Sequence, residues 1–505
     1  MTRALTDLYA GSIPAFLSIS STVSLVPAGA VAYSQCRGES MSDIRWRIAR
    51  YWMPVLVAGL MVVAGGAARA EGLRVLTLDE IVQMALETSP QLKEADQDIK
   101  AAQGDLAQAR GGQWAQLDVV AIGAPSEDAK KPIVRIDPVT NIGHIEDRDE
   151  GDVGIFGSLD FFLVQPLYTF GKISNRRDAA ALGVEVQKSI KEQKKGEVIL
   201  TIKEMYYGLV VATQGKSASQ DAEEFVKDAR RRIERLLEAG SKNVDRSDLY
   251  RLEAYEAEIK QFQVKADTGA QLAYMALKRA INYPAGEDFR LDTKELPKNV
   301  RQLGSLEEYI QQALAERPEF EQLKKGIQAR KAMVEGARAD LYPSIFVAGV
   351  GSFAGAPGRE KLDISYFHDE FNHVEAGAFL GANWHFDLGI GQGKLARARA
   401  EHQKLVHTKE YAERNIPVEV AKYYQEVVES QAAYENYGKG TVAARKWVVS
   451  SFASFDVGVG TAKDMFDAID RYGKNQGEYL SALYKYNVSL ARLSHAIAEY
   501  RTGGS

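Results

Sequence analysis

The sequence predicts a mostly α-helical fold, internally duplicated, in which each chain supplies four β-strands to a sheet shared with other copies. Three observations carry this prediction. The stretch LDEIVQMALETSPQLKEADQDIKAAQGDLAQARGGQWAQLDVVAIG, from Leu78, is echoed by LEEYIQQALAERPEFEQLKKGIQARKAMVEGARADLYPSIFVAGVG, from Leu306, at a constant offset of 228 residues. Identities include Ala85 with Ala313, Leu86 with Leu314, Ile99 with Ile327, Ala109-Arg110 with Ala337-Arg338 and Gly123 with Gly351, and a chance ungapped match of that length is improbable. After each copy the period changes to two, as in a strand with one apolar face, and then to a heptad spacing held for an unusually long distance.

Each copy opens with a short helix, Leu78 to Glu87 or Leu306 to Glu316, broken near Pro90 or Pro318 and followed by a longer one. In the second copy Ala376, Ala378, Leu380, Ala382, Trp384, Phe386 and Leu388 alternate with Gly377, Phe379, Gly381, Asn383, His385 and Asp387. Its counterpart puts Leu159, Phe161, Leu163 and Leu167 on one side, interrupted by Gln165, with Ser158 and Asp160 on the other. Glycines then start the long helices: Gly171 in one copy, Gly389, Gly391 and Gly393 in the other. Val198, Ile202, Met205, Leu209 and Ala212 step by four and three in the first long helix. In the last helix Ile469, Tyr472, Gln476, Tyr479, Leu483, Tyr486, Leu490, Leu493 and Ile497 do so without a break. The first unit, 71–304, is thus expected to hold helices 79–113, 172–239 and 245–282 with strands 117–124 and 156–168; the second, 305–505, helices 306–341, 392–457 and 461–500 with strands 344–353 and 376–388. At 1.5 Å per residue each long helix spans roughly 100 Å, and two shorter helices stacked end to end match it.

Residues 1–70 read as a leader and signal peptide, with the mature chain starting near 71. Arg45, Arg47 and Arg50 precede an apolar run from Trp52 to Val63, and Ala68-Arg69-Ala70 has the small-residue spacing of a cleavage site before Glu71. Met41 lies at the more usual distance from such a run, which leaves Met1 and Met41 as the two candidate starts. The run is shorter than a membrane-spanning helix requires. The one cysteine, Cys36, falls in the discarded part, leaving no thiol for a disulfide, metal or lipid anchor. A net charge of −5 gives no reason to expect a nucleic-acid partner.

Four strands cannot close on themselves. In lipid an open sheet leaves edge N–H and C=O groups unpaired at several kcal/mol apiece, and membrane barrels need about eight strands or more. Copies must therefore pool strands, and the strand count permits eight, twelve or sixteen. Export together with a shared barrel points to the outer membrane of a two-membrane bacterium.

Over Leu78 to about Tyr500 the pattern resembles the outer-membrane efflux proteins typified by TolC. The marks are the paired ALETSP and ALAERP units, LYPSIFVAGVG entering a strand, QPLYTFGK leaving one, and hairpin turns at Gly240 and at GVGTAKDMFDAI. The resemblance implies a homotrimer with a twelve-stranded barrel continuous with a coiled-coil α-barrel across the periplasm. It also implies a passive exit duct for a tripartite efflux or type I secretion system, partnered by a periplasmic adaptor (membrane fusion) protein, an RND- or ABC-type inner-membrane pump and outer-membrane lipid. A periplasmic coiled-coil scaffold or adaptor without a pore is the alternative, and it leaves the alternating strand ending GANWHFDLG unexplained.

Catalytic and ligand motifs are weak. GIGQGK at Gly389 resembles a phosphate loop, but Leu395 stands where a hydroxyl should hold magnesium. HDEFNH, His368 to His373, carries metal-capable groups in a loop expected to be a solvated connection, and His402 and His407 read as helix-surface residues. No nucleophile, base and orienting partner converge, so neither an enzyme nor a cofactor is expected. The hairpins are more informative. Asp245 with Asp248 after Gly240, and Thr461 with Asp464 after Gly458 and Gly460, have capping-box spacing, while Asp464 and Asp467 share a helix face. By the resemblance, Asp464 and Asp467, with Asp248 of the other hairpin, line an acidic pore entrance, and the tips at Gly240, Gly458, Gly460 and Thr461 dock the adaptor. Gly240 to Asp248 is a longer interval than Gly458 to Asp464, so no latch residues are carried across.

Overall fold

A computed structural model describes residues 73–148, 151–298, 301–363, 366 and 368–501; the expected leader, cleavage site and Cys36 lie outside them. Helices α1 (Leu78–Thr88) and α2 (Pro90–Gly111) are followed by strand β2 (Gln116–Glu127), a small hairpin of β3 (Ile133–Ile136) and β4 (Gly143–Glu146), and β5 (Val153–Tyr168). Then come α3 (Lys172–Glu238) and α4 (Arg246–Ala280). The second half runs α5 (Leu306–Glu316), α6 (Pro318–Ala339), β7 (Ser344–Gly355), β8 (His373–Asn383), α7 (Ile390–Asp456) and α8 (Ala462–Ala496). Helix lengths agree between halves at 11, 22, 67 and 35 residues.

The halves also start by the same device. Thr77 caps α1 and Ser305 caps α5, each in a box with Glu80 or Glu308 three residues on. Each short helix then stops before a proline that opens the next. Between the halves, β1 (Arg74–Leu76) and β6 (Phe289–Leu291) pair in parallel, closing a core where Leu76, Ile81, Tyr206, Ile281, Val420, Leu483 and Tyr486 meet.

Helix α3 packs against α2, α4, α6 and α8, and α7 against α5, α6 and α8. The last-helix seam is buried at Ile469, Tyr472, Leu483, Tyr486, Leu493 and Ile497. A second core binds the far ends of the helices: Val226, Ile233 and Leu252 pack with Val448, Phe452, Met465, Phe466 and Ile469. Both hairpins of the chain are thereby one packed unit.

The sheet runs β2-β5-β7-β8, antiparallel throughout. Residues paired across strands share a face, so the register sorts the side chains. One face collects Leu117, Val119, Leu159, Phe161, Leu163, Val347, Phe353, Val374, Ala376, Ala378 and Leu380. The other carries Asp118, Ser158, Asp160, Ser352, His373 and Glu375 among apolar residues. Gln165, on the apolar face, turns its amide to the Gln113 and Pro166 carbonyls at 3.0 and 2.8 Å, next to an irregularity in the β5–β7 pairing. Strand β8 ends at Asn383, not at 388 as the alternation predicts. Its partner β7 starts at Ser344, after Pro343, so no ladder continues, and Trp384 instead donates its indole N–H to the Leu341 carbonyl at 3.1 Å.

One charge is locked inside the helical part. Arg317, at the α5–α6 break, is 8 % exposed and lies 2.9 Å from Glu319 and 3.4 Å from Glu419. Glu419 sits two residues after Pro417, which removes a hydrogen bond from α7. Burial alone would raise the Glu319 carboxyl, yet the Arg317 charge and hydrogen bond hold it below its ordinary 4.5. A depressed acid stabilises the fold above that ordinary value and loses the contribution as pH falls through the lowered one. Arg317→Ala strands the Glu319 carboxylate and is expected to cost about 3–5 kcal/mol. Thermal unfolding at neutral pH measures this, and a melting temperature equal to wild type contradicts it.

Candidate functional site: the helical hairpin tips and the sheet face

Both long helices end in the same turn. After α3, Gly240 adopts φ 72°, Ser241 N–H donates to the Leu236 carbonyl at 2.9 Å and Gly240 N–H to Leu237 at 3.0 Å. After α7, Gly458 adopts φ 79°, Val459 N–H donates to Ser454 at 3.0 Å and Gly458 N–H to Phe455 at 3.0 Å. This is the paired Schellman closure, which places a left-handed residue just past a helix. Gly460 lies against the turn as well, because a Cβ there would stand 3.0 Å from the Phe455 nitrogen.

The next helices start with reciprocal caps. Asp245 accepts from Ser247 N–H at 2.6 Å while Asp248 accepts from Asp245 N–H at 3.1 Å. Asp464 accepts from Thr461 N–H and hydroxyl at 3.0 and 2.7 Å. The hairpins therefore correspond by caps, Asp245 with Thr461 and Asp248 with Asp464, and the longer glycine-to-acid interval is linker. The Thr461 hydroxyl and N–H hold the Asp464 carboxyl below its ordinary 3.8, and the Ser247 bonds do the same for Asp245.

The structure brings Asp464 and Asp467 together on an exposed face of α8 whose opposite side buries Met465, Phe466, Ala468 and Ile469. Asp248 is on the other hairpin, half-buried in its cap. Sequence reasoning missed the side chains that tie the tips together. Arg232 on α3 reaches Asp456 at the end of α7 at 2.6 Å with its guanidinium 4.8 Å from the Phe452 ring, and Arg230 forks onto Glu256 at 3.0 and 2.9 Å. Only the heptad pattern through Val226, Ala229 and Ile233 hinted at that packing.

The remaining motifs are occupied by the protein itself. Asp387 accepts from Gly391 N–H at 2.6 Å, filling the helix start where a phosphate would sit. His368 Nδ1 faces Glu375 at 2.8 Å, His373 contacts Ser352 and the Asp369 carbonyl, and His407 faces Glu410 at 3.2 Å. Among the described residues no group of three acidic, histidine or cysteine side chains is arranged to hold a metal. Where the sheet meets the helices, aromatics gather: exposed Trp114, Tyr168, Phe170, Tyr342, Trp384 and Phe386, with Phe170 stacked on Tyr342 at 5.3 Å and Trp384 tilted against Phe386 at 4.6 Å. No described helix is long and apolar enough to cross a membrane.

Residues 309–499 match the outer membrane efflux protein family. No curated protein matches the sequence. Among solved structures, the outer-membrane channel OprN is 17% identical, with a TM-score of 0.66 over 83% of this chain and 89% of that one. VceC from Vibrio cholerae is 16% identical, with 0.66 over 83% and 95%, and the open-state MtrE channel of Neisseria gonorrhoeae is 18% identical, with 0.66 over 83% and 88%.

Gly458→Ala is expected to destabilise the α7–α8 turn by about 1–2 kcal/mol, the cost of a Cβ in the left-handed region, and Thr461→Ala by about 1 kcal/mol through loss of the cap. Hydrogen exchange of 455–466 reads both, and unchanged protection contradicts the assignment. The Asp464 cap should persist at neutral pH and weaken as pH falls below 3.8, because a lowered acid loses its stabilisation only there. The chain has the fold of the TolC-like outer-membrane channels and carries the outer membrane efflux protein signature over residues 309–499.

Proposed function

We propose that the protein is the exit duct of a tripartite efflux or type I secretion system, passing substrate passively across the periplasm and the outer membrane, and that it is not an enzyme. The observation that carries this reading is the sheet. Its largely exposed apolar face is bounded on the helical side by aromatics, as at a membrane–water interface, and it is joined to helices about 100 Å long. Strands of 11 to 16 residues reach or exceed the 9–11 or so that a tilted membrane strand requires. A periplasmic scaffold without a pore gives that face nothing to cover it.

Three copies of four strands make a twelve-stranded barrel, an even number within the known range. Apolar side chains left exposed on α4 (Tyr250, Phe262, Leu272, Met275) and on α7 (Val418, Val442, Trp447, Val449) fit helical staves that pack against neighbouring copies. Six half-chains around one axis then form a tube. Its two repeat boundaries, 71–304 and 305–505, follow the staves. The leader at 1–70 directs export.

The hairpin tips at Gly240, Gly458, Gly460 and Thr461 are the docking surface for a periplasmic adaptor, which joins the duct to an RND- or ABC-type pump. Asp464 and Asp467, with Asp248 behind them, form the acidic entrance, where closely spaced carboxylates favour cations. In planar-bilayer recordings Asp464→Ala combined with Asp467→Ala should weaken block by a trivalent cation at least about tenfold, a loss of roughly 1.4 kcal/mol. Equal block in the variant removes the entrance assignment. Trp447→Asp should shift detergent-solubilised protein from trimer to monomer in light scattering, and an intact trimer removes α7 from the subunit interface.

A further inference from the structure

The two halves are joined within the chain by a helical seam, and the duplication says where its twin belongs. Helix α3 packs on α6 in the opposite direction. Gln322 Nε2 donates to Gln193 Oε1 at 2.9 Å, the Arg176 guanidinium bonds Asp340 at 3.2 Å, and Lys172 Nζ donates to the Tyr342 carbonyl at 2.9 Å, beside the stack of Phe170 on Tyr342. These contacts step by four and three along both helices, from Lys172 to Gln193 on α3 and from Gln322 to Asp340 on α6.

Helices α3 and α7 are both 67 residues long and α2 and α6 both 22, so every position of the seam has a counterpart. The twin seam would join α7 to α2. Among the described residues those two helices make no such packing, and α2 buries only Leu92 and Ala95 where α6 buries six residues. Carried across position by position, Phe170 and Lys172 become Leu388 and Ile390, and Tyr342 becomes Trp114. All three are large apolar side chains left in the open: Ile390 is 64 % exposed, Trp114 72 %, and Leu388 fully. In this register they cover one another.

Farther along, the chemistry changes. Ala179, Gly183, Val186 and Ile190 of α3 become Arg397, Glu401, Lys404 and Thr408 of α7. On the facing helix Gln322, Gly326 and Met333 of α6 become Glu94, Asp98 and Asp105 of α2. Glu401 is already held by Arg330 and Arg397 at 2.7 and 2.9 Å, and Asp98 lies 3.7 Å from Lys194. Glu94, Asp105, Lys394 and Lys404 make no ion pair among the described residues. The counterparts of the two end contacts set Glu94 opposite Tyr411 and Gly112 opposite Lys394, which leaves Asp105 within one helical turn of both Arg397 and Lys404. One side of the twin seam is acidic and the other mostly basic.

We propose that α7 of one copy docks on α2 of the next in this register, with Leu388 and Ile390 seated on the neighbour's Trp114 and the neighbour's Asp105 held between Arg397 and Lys404. The seam between copies is ionic where its counterpart inside the chain is apolar. Both faces therefore stay solvated on a lone copy, and each attracts the other while repelling its own kind. Like charges oppose α2 on α2 and α7 on α7, so the contact runs head to tail, the kind that closes into a ring. This inference rests on the ring of copies proposed above and adds which faces meet and what selects them.

The test is carbodiimide cross-linking of the full-length protein in detergent, assembled from a mixture of isotope-labelled and unlabelled copies, so that mass spectrometry tells bonds between copies from bonds within one. Asp105 should join Lys404 in mixed-isotope products. An oligomer whose mixed-isotope products never join an α2 carboxylate to an α7 lysine overturns the seam and leaves the ring standing, whereas a wild-type protein that stays monomeric in light scattering removes the ring and the seam with it. Asp105→Lys should slow assembly from monomers about tenfold at low salt, because steering between opposite charges is lost. Adding Arg397→Asp and Lys404→Asp to the same chain should restore the rate. All three side chains are exposed, so melting curves of the monomeric variants should match the wild type. An unchanged rate in Asp105→Lys, or no recovery in the triple variant, overturns the ionic pairing.

Discussion

The constraint on which the rest of the structure depends is the unpaired backbone at the two edges of the sheet. Among the described residues, strands β2 and β8 each have one neighbour in the sheet, and their outer N–H and C=O groups face away from it. In water such edges are tolerable; in hydrocarbon each unpaired group costs several kcal/mol, and there is no water to relieve it. A face of Leu, Val, Phe and Ala that demands lipid is thus joined to edges that cannot exist in lipid. In the duct proposed above, the two requirements are met together by pairing β2 of one copy with β8 of the next until the ring closes.

The helical part obeys a matching logic. In the proposed duct, closure at the sheet would fix copies around an axis, and each copy would then have to present similar staves at similar angles. Duplication supplies them: the helix lengths, the Thr77 and Ser305 caps, the proline starts and the Gly240 and Gly458 turns all recur. Where the halves differ, the difference is local. Arg317 is buried with Glu319 and Glu419 at the second break, whereas the first has Ser89 there. A linker two residues longer separates Gly240 from its cap than Gly458 from its own.

Much of this was legible in the sequence because it is periodic or punctuated. Heptads fix which faces of α3 and α8 are buried, glycine and proline mark the breaks, and alternation marks the apolar face from Leu159 to Leu163 and from Ala376 to Ala382, whereas the irregular pairing between Pro166 and Tyr168 leaves Leu167 without a register partner. What was not legible depends on partners distant in the chain. The β1–β6 pair is three residues on each side and the β3–β4 hairpin four, too short for a period to register. The alternation from Ala376 runs on to Leu388 although the strand does not, because side-chain period says nothing about whether a ladder partner exists. Asp387 was read as part of that strand and instead caps α7. The Asp160–Ser352 bond joins residues 192 positions apart, which no local pattern can announce. At the tips, the cap spacing was visible for Asp464, but the Arg232–Asp456 tie between hairpins was not.

Completion of the sheet by neighbouring copies, edge to edge, is open to direct test. Its most direct measurement is disulfide trapping between a cysteine placed in the middle of β2 and one in the middle of β8, in a chain whose single native cysteine, Cys36, is replaced by serine. Edge-to-edge pairing should give oxidation to covalent dimers and trimers from intact membranes, with a set of pairings that shifts in steps of two as one site moves along its strand. Protein that stays monomeric at every pairing, with both thiols open to a water-soluble reagent, would contradict it.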